Sequence, residues 1–338
     1  MRTRSPAATF TAMRSWIAIL GLFLLPTISS AQTILFTEDF ESTNLAAKGW
    51  YDDNANQAFS TVEHVPGSTR SMQFRWNQGE TNARNGSDTG MSGAVRHDIS
   101  TSGSATLYVA FDVKFGTASV PWRGSGSVAV HPHIMYILSN VDNGFGPLAG
   151  NYLNFYVEAG DVFPVSGGDA RPRLLIQDNL RINPSLLVPP AGSSPSSLGT
   201  SVNHSVAGWN GHQDQATPTL IDTYGGGTNN YTNWDAASRV FKNNTWHRVE
   251  VYAAMNSLSG TIPQANGIIR YWVDGVLVIE RTNVYLRTNQ HPTMTFKTLV
   301  LSPYIGSGSP IAQEMWIDNL TVATGSIVPG SPQNLRVR

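Results

Sequence analysis

The run Trp246-His247-Arg248-Val249-Glu250-Val251, followed downstream by Ile269-Arg270-Tyr271-Trp272-Val273-Asp274-Gly275, decides the fold. In both runs apolar and polar side chains alternate, which is the period of a strand with one buried face, and no 3.6-residue spacing competes with it. Trp246–Met255 and Gly267–Ile279 are therefore read as strands. Outward from them the same alternation, interrupted by clusters of Gly, Pro, Asn and Ser, recurs at Thr33–Phe36, Ser71–Trp76, Ala94–Asp98 and Ala105–Phe115. It continues at His131–Ser139, Tyr152–Glu158, Pro172–Asp178, Met294–Pro303 and Glu314–Ala323. So many short strands without an amphipathic helix predict an all-β protein, a two-sheet antiparallel β-sandwich of jelly-roll type.

Two stretches lack this pattern. Asn183–Thr200 is rich in Pro, Ser and Gly, and Ser205–Tyr231 in Gly, Asn, Thr and His, so both read as long loops. Loops of that length in a compact domain either shape a binding surface or are mobile.

The first residues carry Arg2, Arg4 and Arg14, then an apolar run from Trp16 to Leu25, then Pro26 and Ser29-Ser30-Ala31. That is the pattern of a secretory signal peptide, with an apolar run well short of the roughly 20 residues that span a bilayer. The expected organisation is a signal peptide over 1–31, a jelly-roll domain over 32–324 and a linker or tail over 325–338. In the tail, Pro332-Gln333-Asn334-Leu335-Arg336-Val337 looks like the opening strand of a fibronectin type III module. The expected location is extracellular or periplasmic, in a bacterial-type secreted protein. The chain has no cysteine, consistent with a domain large enough to be held by its core rather than by disulfides.

Charged residues make up 13% of the chain and the formal net charge is −1. A protein so sparsely charged presents no electrostatic surface for nucleic acid or for an anionic membrane once the signal is removed. Its Gly, Ser, Thr, Asn and aromatic surface suits polysaccharide instead, because flat aromatic faces stack on pyranose rings and amides bond to hydroxyls. The expected partner is a polysaccharide, and the expected state a monomer.

The paired runs quoted first resemble a hairpin of concanavalin A-like and laminin-G-like jelly rolls, in which Asp-Gly makes the tight turn. Glu38-Asp39-Phe40-Glu41 and Trp316-Ile317-Asp318-Asn319-Leu320-Thr321-Val322 look like the first and last strands of such domains, which lie side by side. Within that superfamily the chain is similar to secreted polysaccharide lyases of the heparin-lyase and alginate-lyase kind. It also resembles exported proteins sharing Gly49-Trp50-Tyr51-Asp52, His131-Pro132-His133 and Pro303-Tyr304-Ile305-Gly306. It departs from the alginate lyases in lacking their Gln-x-His strand, although Gln177-Asp178 falls at a comparable strand end. The Glu-x-Asp-x-x-Glu strand of laminarinase-like hydrolases is missing too.

Lyase chemistry removes a proton beside a uronate carboxylate. It needs that carboxylate neutralised, a base for the carbon acid and an acid for the leaving oxygen. The candidates for base and acid are His133 or His131 with Tyr304, Tyr156 or Tyr136. Alternation places His131 and His133 on one strand face and Tyr136 on the other. The two histidines could equally be surface hydrogen-bonding groups or metal ligands. Arg171, Arg173 or Gln177 would neutralise the carboxylate. Arg173 and Gln177 on one strand, and Asn154, Tyr156 and Glu158 on another, form polar faces suited to a sugar-binding sheet, with Arg173 and Glu158 able to pair across strands. Trp209, with Tyr224, Tyr231 and Trp234, either stacks on sugar or pins the loop. Glu38, Glu41 and Asp318 could hold a structural Ca2+ at the chain ends, carboxylates being what a hard cation prefers; no organic cofactor is expected. Two functions remain: a lyase cleaving a uronate-containing glycan by β-elimination, or a non-catalytic carbohydrate-binding or adhesive jelly roll.

Overall fold

A computed structural model describes residues 32–124, 132–141, 153–160, 169–177, 210, 231–260, 262–287 and 291–325. The strands, in chain order, begin with β1 (Thr33–Glu38), β2 (Tyr51–Asp52), β3 (Ala58–Ser60), β4 (Ser71–Trp76), β5 (Val95–Asp98) and β6 (Thr106–Phe115). Next come β7 (His133–Ser139), β8 (Asn154–Gly160), β9 (Arg171–Gln177), β10 (Tyr231–Asp235) and β11 (Trp246–Ala254). The chain continues with β12 (Leu258–Ser259), β13 (Ile262–Pro263), β14 (Gly267–Val273), β15 (Val276–Val284), β16 (Phe296–Leu301) and β17 (Gln313–Thr324). The one helical turn described in detail is the short 3-10 segment Leu45–Lys48.

Two antiparallel sheets stack face to face. Sheet A runs β15-β14-β11-β6-β17-β4-β3 with β1 also on β17, sheet B runs β10-β9-β8-β7-β16-β5-β2, and β12 and β13 make a separate ribbon. The all-β sandwich read from the sequence is thus the observed fold. The first and last strands are neighbours as expected, with Thr33 opposite Thr324 and Glu38 opposite Leu320. The single run Gly267–Ile279 is two strands, β14 and β15, folded back at Asp274-Gly275. Both residues have positive φ, 52° and 78°, which Asp and Gly tolerate and β-branched residues do not.

Alternation decides which side chains meet between the sheets. Leu107, Val109, Phe111, Val113 and Phe115 of β6 face inward, as do Met135 and Ile137 of β7, Phe155 and Val157 of β8, and Leu174 and Ile176 of β9. Each such side chain contributes roughly 2 kcal/mol when fully buried, so a core this large holds the sandwich without disulfides. Trp234, expected in a loop, stands on β10 and is fully buried in the same core. It therefore pins that strand and presents no ring to a ligand. Of the expected loop Ser205–Tyr231 only Asn210, bonded to the Tyr285 backbone, and Tyr231 at the start of β10 are described; Asn183–Thr200, the signal segment over 1–31 and the tail beyond 325 lie outside the described residues.

Candidate active site

The outer face of sheet B carries a cluster that begins with an irregularity in strand pairing. His133 stands opposite Glu158, but Met135 stands opposite Val157 and Tyr136 opposite Tyr156, so β7 has one extra residue between His133 and Met135. A bulge of this kind re-aims the side chains around it. Ile134 and Met135 both enter the core, and His133 and Tyr136 come out on the same side. Strict alternation placed them on opposite faces; the extra residue overturns that expectation.

The result is a packed group of rings. Nδ1 of His133 lies 3.2 Å from the Tyr136 hydroxyl, and its Nε2 lies 3.0 Å from Oε1 of Glu158. The His133 ring meets Tyr156 edge-on with centroids 4.7 Å apart, and Tyr304 lies at 5.8 Å. Tyr304 follows β16 and is tied to β7 by its backbone: His133 N–H donates to Tyr304 O at 3.0 Å, and Tyr304 N–H donates to His133 O at 3.2 Å. On the neighbouring strands the Tyr156 hydroxyl donates to Oε1 of Gln177 at 2.6 Å, and Asn154 and Gln177 stand opposite one another. His133, Tyr156, Tyr304, Gln177 and Asn154 are therefore gathered on one face.

Burial sets the electrostatics. Glu158 is fully buried, and removal from water pushes its carboxyl up to about 8, against the attraction of Arg173 and with the help of Asp235. At neutral pH the Glu158 carboxyl is therefore held mainly in its protonated form, beside Nε2 of His133. Tyr136 and Tyr156 are also buried, and burial, followed by neighbouring phenols and Glu158 for Tyr136 and by Glu158 for Tyr156, raises both hydroxyls far above the ordinary tyrosine range. His133 keeps 15% of its side-chain surface, and Tyr304 is partly exposed. These are the two members of the ring group open to a ligand.

Arg173 stands opposite Glu158 but does not pair with it. Its Nη2 donates to Oδ2 of Asp235 at 3.0 Å, with a second bond from Nε to Oδ1. Asp235 belongs to β10, a strand absent from the sequence reading, and the fork makes Arg173 a poor partner for a substrate carboxylate. Arg171 lies on the same strand opposite Gly160. His131 and Trp209 lie outside the described residues.

The carboxylates expected to hold calcium each have donors from the protein. Glu38 is buried and accepts from Phe40 N–H at 2.9 Å, from Lys48 Nζ at 2.8 Å and from Trp50 Nε1 at 3.0 Å. Lys48 also contacts Asp39. Glu41 is bonded to Thr69 through the N–H at 2.7 Å and through its hydroxyl. Asp318 accepts from Val65 N–H at 3.2 Å and Asn319 N–H at 2.8 Å. Among the described residues no group of three or more His, Asp or Glu side chains is arranged to hold a metal ion.

No protein-family model and no curated protein sequence matches the chain. Solved structures do. The marine PL-14 alginate lyase from Aplysia kurodai superposes with a TM-score of 0.51 at 13% identity, over 86% of this chain and 99% of that one. Alginate lyase vAL-1 from Chlorella virus gives 0.49 at 12% identity, over 86% and 100%. The endo-beta-1,4-glucuronan lyase from the fungus Trichoderma reesei gives 0.47 at 15% identity, over 86% and 96%. The class that emerges is a two-sheet jelly roll, the fold shared with the Aplysia alginate lyase. At such identities the likeness is one of fold, and function is argued from the site.

Proposed function

We propose that this protein cleaves a uronate-containing polysaccharide by β-elimination on the outer face of sheet B. The observation that carries the proposal is the convergence of His133, Tyr304 and Gln177 around one face, with Glu158 behind the imidazole. In this reading His133 is the base. Glu158 stands behind its Nε2, where the carbonyl oxygen of the neutral carboxyl accepts from the Nε2–H tautomer, while Nδ1 exchanges its long contact with Tyr136 for the proton beside the uronate carboxylate. Tyr304 delivers a proton to the leaving oxygen, and the Gln177 amide, whose nitrogen offers two donors, bonds the carboxylate. The Aplysia alginate lyase, a protein of the same fold, acts on a uronate polymer by its name. That agrees with the chemistry but does not carry it.

One observation favours the second reading, a non-catalytic carbohydrate-binding module. Tyr136 is 2% exposed and Tyr156 wholly covered, so of the three tyrosines around His133 only the partly exposed Tyr304 reaches solvent. The experiment that separates the two follows absorbance near 235 nm while the protein is incubated with alginate, glucuronan, pectate, heparin and ulvan. A rise that disappears in His133→Ala establishes elimination. A flat trace on every polymer, together with retention on a polysaccharide gel, establishes binding alone.

We further propose that the chain is exported. The Arg-flanked apolar run before Pro26 and the small residues that follow support this.

A further inference from the structure

The His133 site leaves unused the motif Gly49-Trp50-Tyr51-Asp52. Its last two residues are β2, the edge strand of sheet B, so the motif reaches the far side of the same sheet. There a cleft of about 400 Å3 is lined by Asp52, Asp53, Asn82, Ser92, Arg96 and Ser302. It adjoins the ring cluster. Asn82 forms a backbone bridge with Tyr304, and Tyr304 forms one with His133. Ala94, at the cleft wall, packs against the group that includes Tyr136, Tyr156 and Val300.

The chemistry of the lining is that of a hydroxyl-rich ligand: amide, hydroxyl, carboxylate and guanidinium groups offer both donors and acceptors. Its charge is informative. Two carboxylates line the cleft with one guanidinium, and Arg96 is already joined to Asp52 through Nε. Asp53 accepts from Gly93 N–H at 2.5 Å and from the Asn56 amide. A Cβ on Gly93 would stand 2.9 Å from the Asp53 Cβ, so the absence of a side chain there lets the two walls close to this width. A uronate carboxylate entering the cleft would meet a net negative lining whose cation is neutralised. An uncharged sugar would meet the same groups as hydrogen-bond partners.

We propose that this cleft is a subsite for an uncharged sugar residue, so that the glycan recognised is a heteropolymer in which uronates are interspersed with uncharged sugars. The proposal rests on the reading of the His133 site as uronate-directed, and the two can fail separately.

The test uses full-length protein carrying His133→Ala, so that nothing is turned over, and measures binding of two sets of oligosaccharides by calorimetry. One set is oligoglucuronate. The other is derived from hyaluronan, in which glucuronate alternates with an uncharged N-acetylated sugar. The mixed oligosaccharides are expected to bind about tenfold more tightly, the like charges of cleft and polyuronate opposing the other set. Asp52→Asn with Asp53→Asn should narrow the gap roughly threefold, the order of one solvent-exposed charge contact. Asn82→Ala should weaken the mixed ligand while leaving the fold intact by circular dichroism. Equal or tighter binding of oligoglucuronate, an unchanged ratio in the Asp variants, or no binding of either set overturns the subsite. Mixed ligands that bind but are never cleaved by the unmodified protein sink the lyase reading and leave the subsite standing. Faster cleavage of polyglucuronate than of mixed polymers does the reverse.

Discussion

Nε2 of His133 stands 3.0 Å from Oε1 of Glu158, and the two residues face each other across β7 and β8. A histidine at the edge of solvent is thus backed by a carboxyl with no exposure. The pair couples the proton content of the site to the stability of the sandwich.

The stability consequence has a definite sign. Glu158 titrates near 4.5 when unfolded and at about 8 in the fold, so between those values the unfolded chain has released a proton that the native protein keeps. Stability from this group is full below the lower value and is lost as pH rises through the upper one. Urea midpoints measured at pH 5, 7 and 9 should fall more steeply in the parent protein than in Glu158→Gln, which cannot ionise. Parallel curves for the two proteins would show that Glu158 is not buried in its neutral form.

Removal of single hydroxyls separates catalytic from packing tyrosines. Tyr304→Phe should lower the rate of double-bond formation by about 10² to 10⁴, the range for general acid–base groups. It should leave the melting temperature unchanged, because the tie from Tyr304 to β7 is made by its backbone. Tyr156→Phe breaks the buried bond to Gln177 and should cost about 1 kcal/mol of stability while raising KM through a loosened amide. A Tyr304→Phe protein as fast as its parent would remove that residue from the chemistry.

On sheet A, Nδ1 of His247 lies 2.7 Å from Oδ2 of Asp274, and Lys242 N–H donates to His247 Nε2 at 2.9 Å. Partial burial opposes ionisation of Asp274, but the bonds from His247 and Arg248 N–H outweigh it and hold the carboxyl below its ordinary range. That contribution is present above the unfolded value of 3.8 and is lost as pH falls. Asp274→Asn retains a residue that tolerates the positive φ of the turn. It should cost about 1 kcal/mol at pH 7, with the difference from the parent shrinking below pH 4, read by thermal unfolding across that range.

Calcium should not matter to the chain ends. With Lys48 seated between Glu38 and Asp39, addition of millimolar Ca2+ or of a chelator is expected to leave Tm unchanged, whereas Lys48→Met should lower it by stranding the buried Glu38 carboxylate. A rise in Tm with calcium in the unmodified protein would contradict this arrangement.

Period-two alternation by itself determined that the chain folds as a sandwich and which faces of β8 and β9 are polar. Alternation is local, and a large apolar set on one face has few other ways to leave water. The Asp274-Gly275 turn was legible only through the resemblance, because the alternation read Gly267–Ile279 as one strand, and the positive φ of both residues is what the structure adds. The site was legible only in its components. That His133, Tyr156, Gln177 and Tyr304 share a face and that Asp235 claims Arg173 are consequences of strand order, which brings together partners far apart in the chain. The orientation of Tyr136 depended on one extra residue in β7. A bulge leaves no mark in a hydrophobic pattern because Ile134 and Met135 are both apolar, and only pairing with β8 reveals which residue is unmatched. The sequence named the chemistry available, and tertiary pairing decided which groups meet.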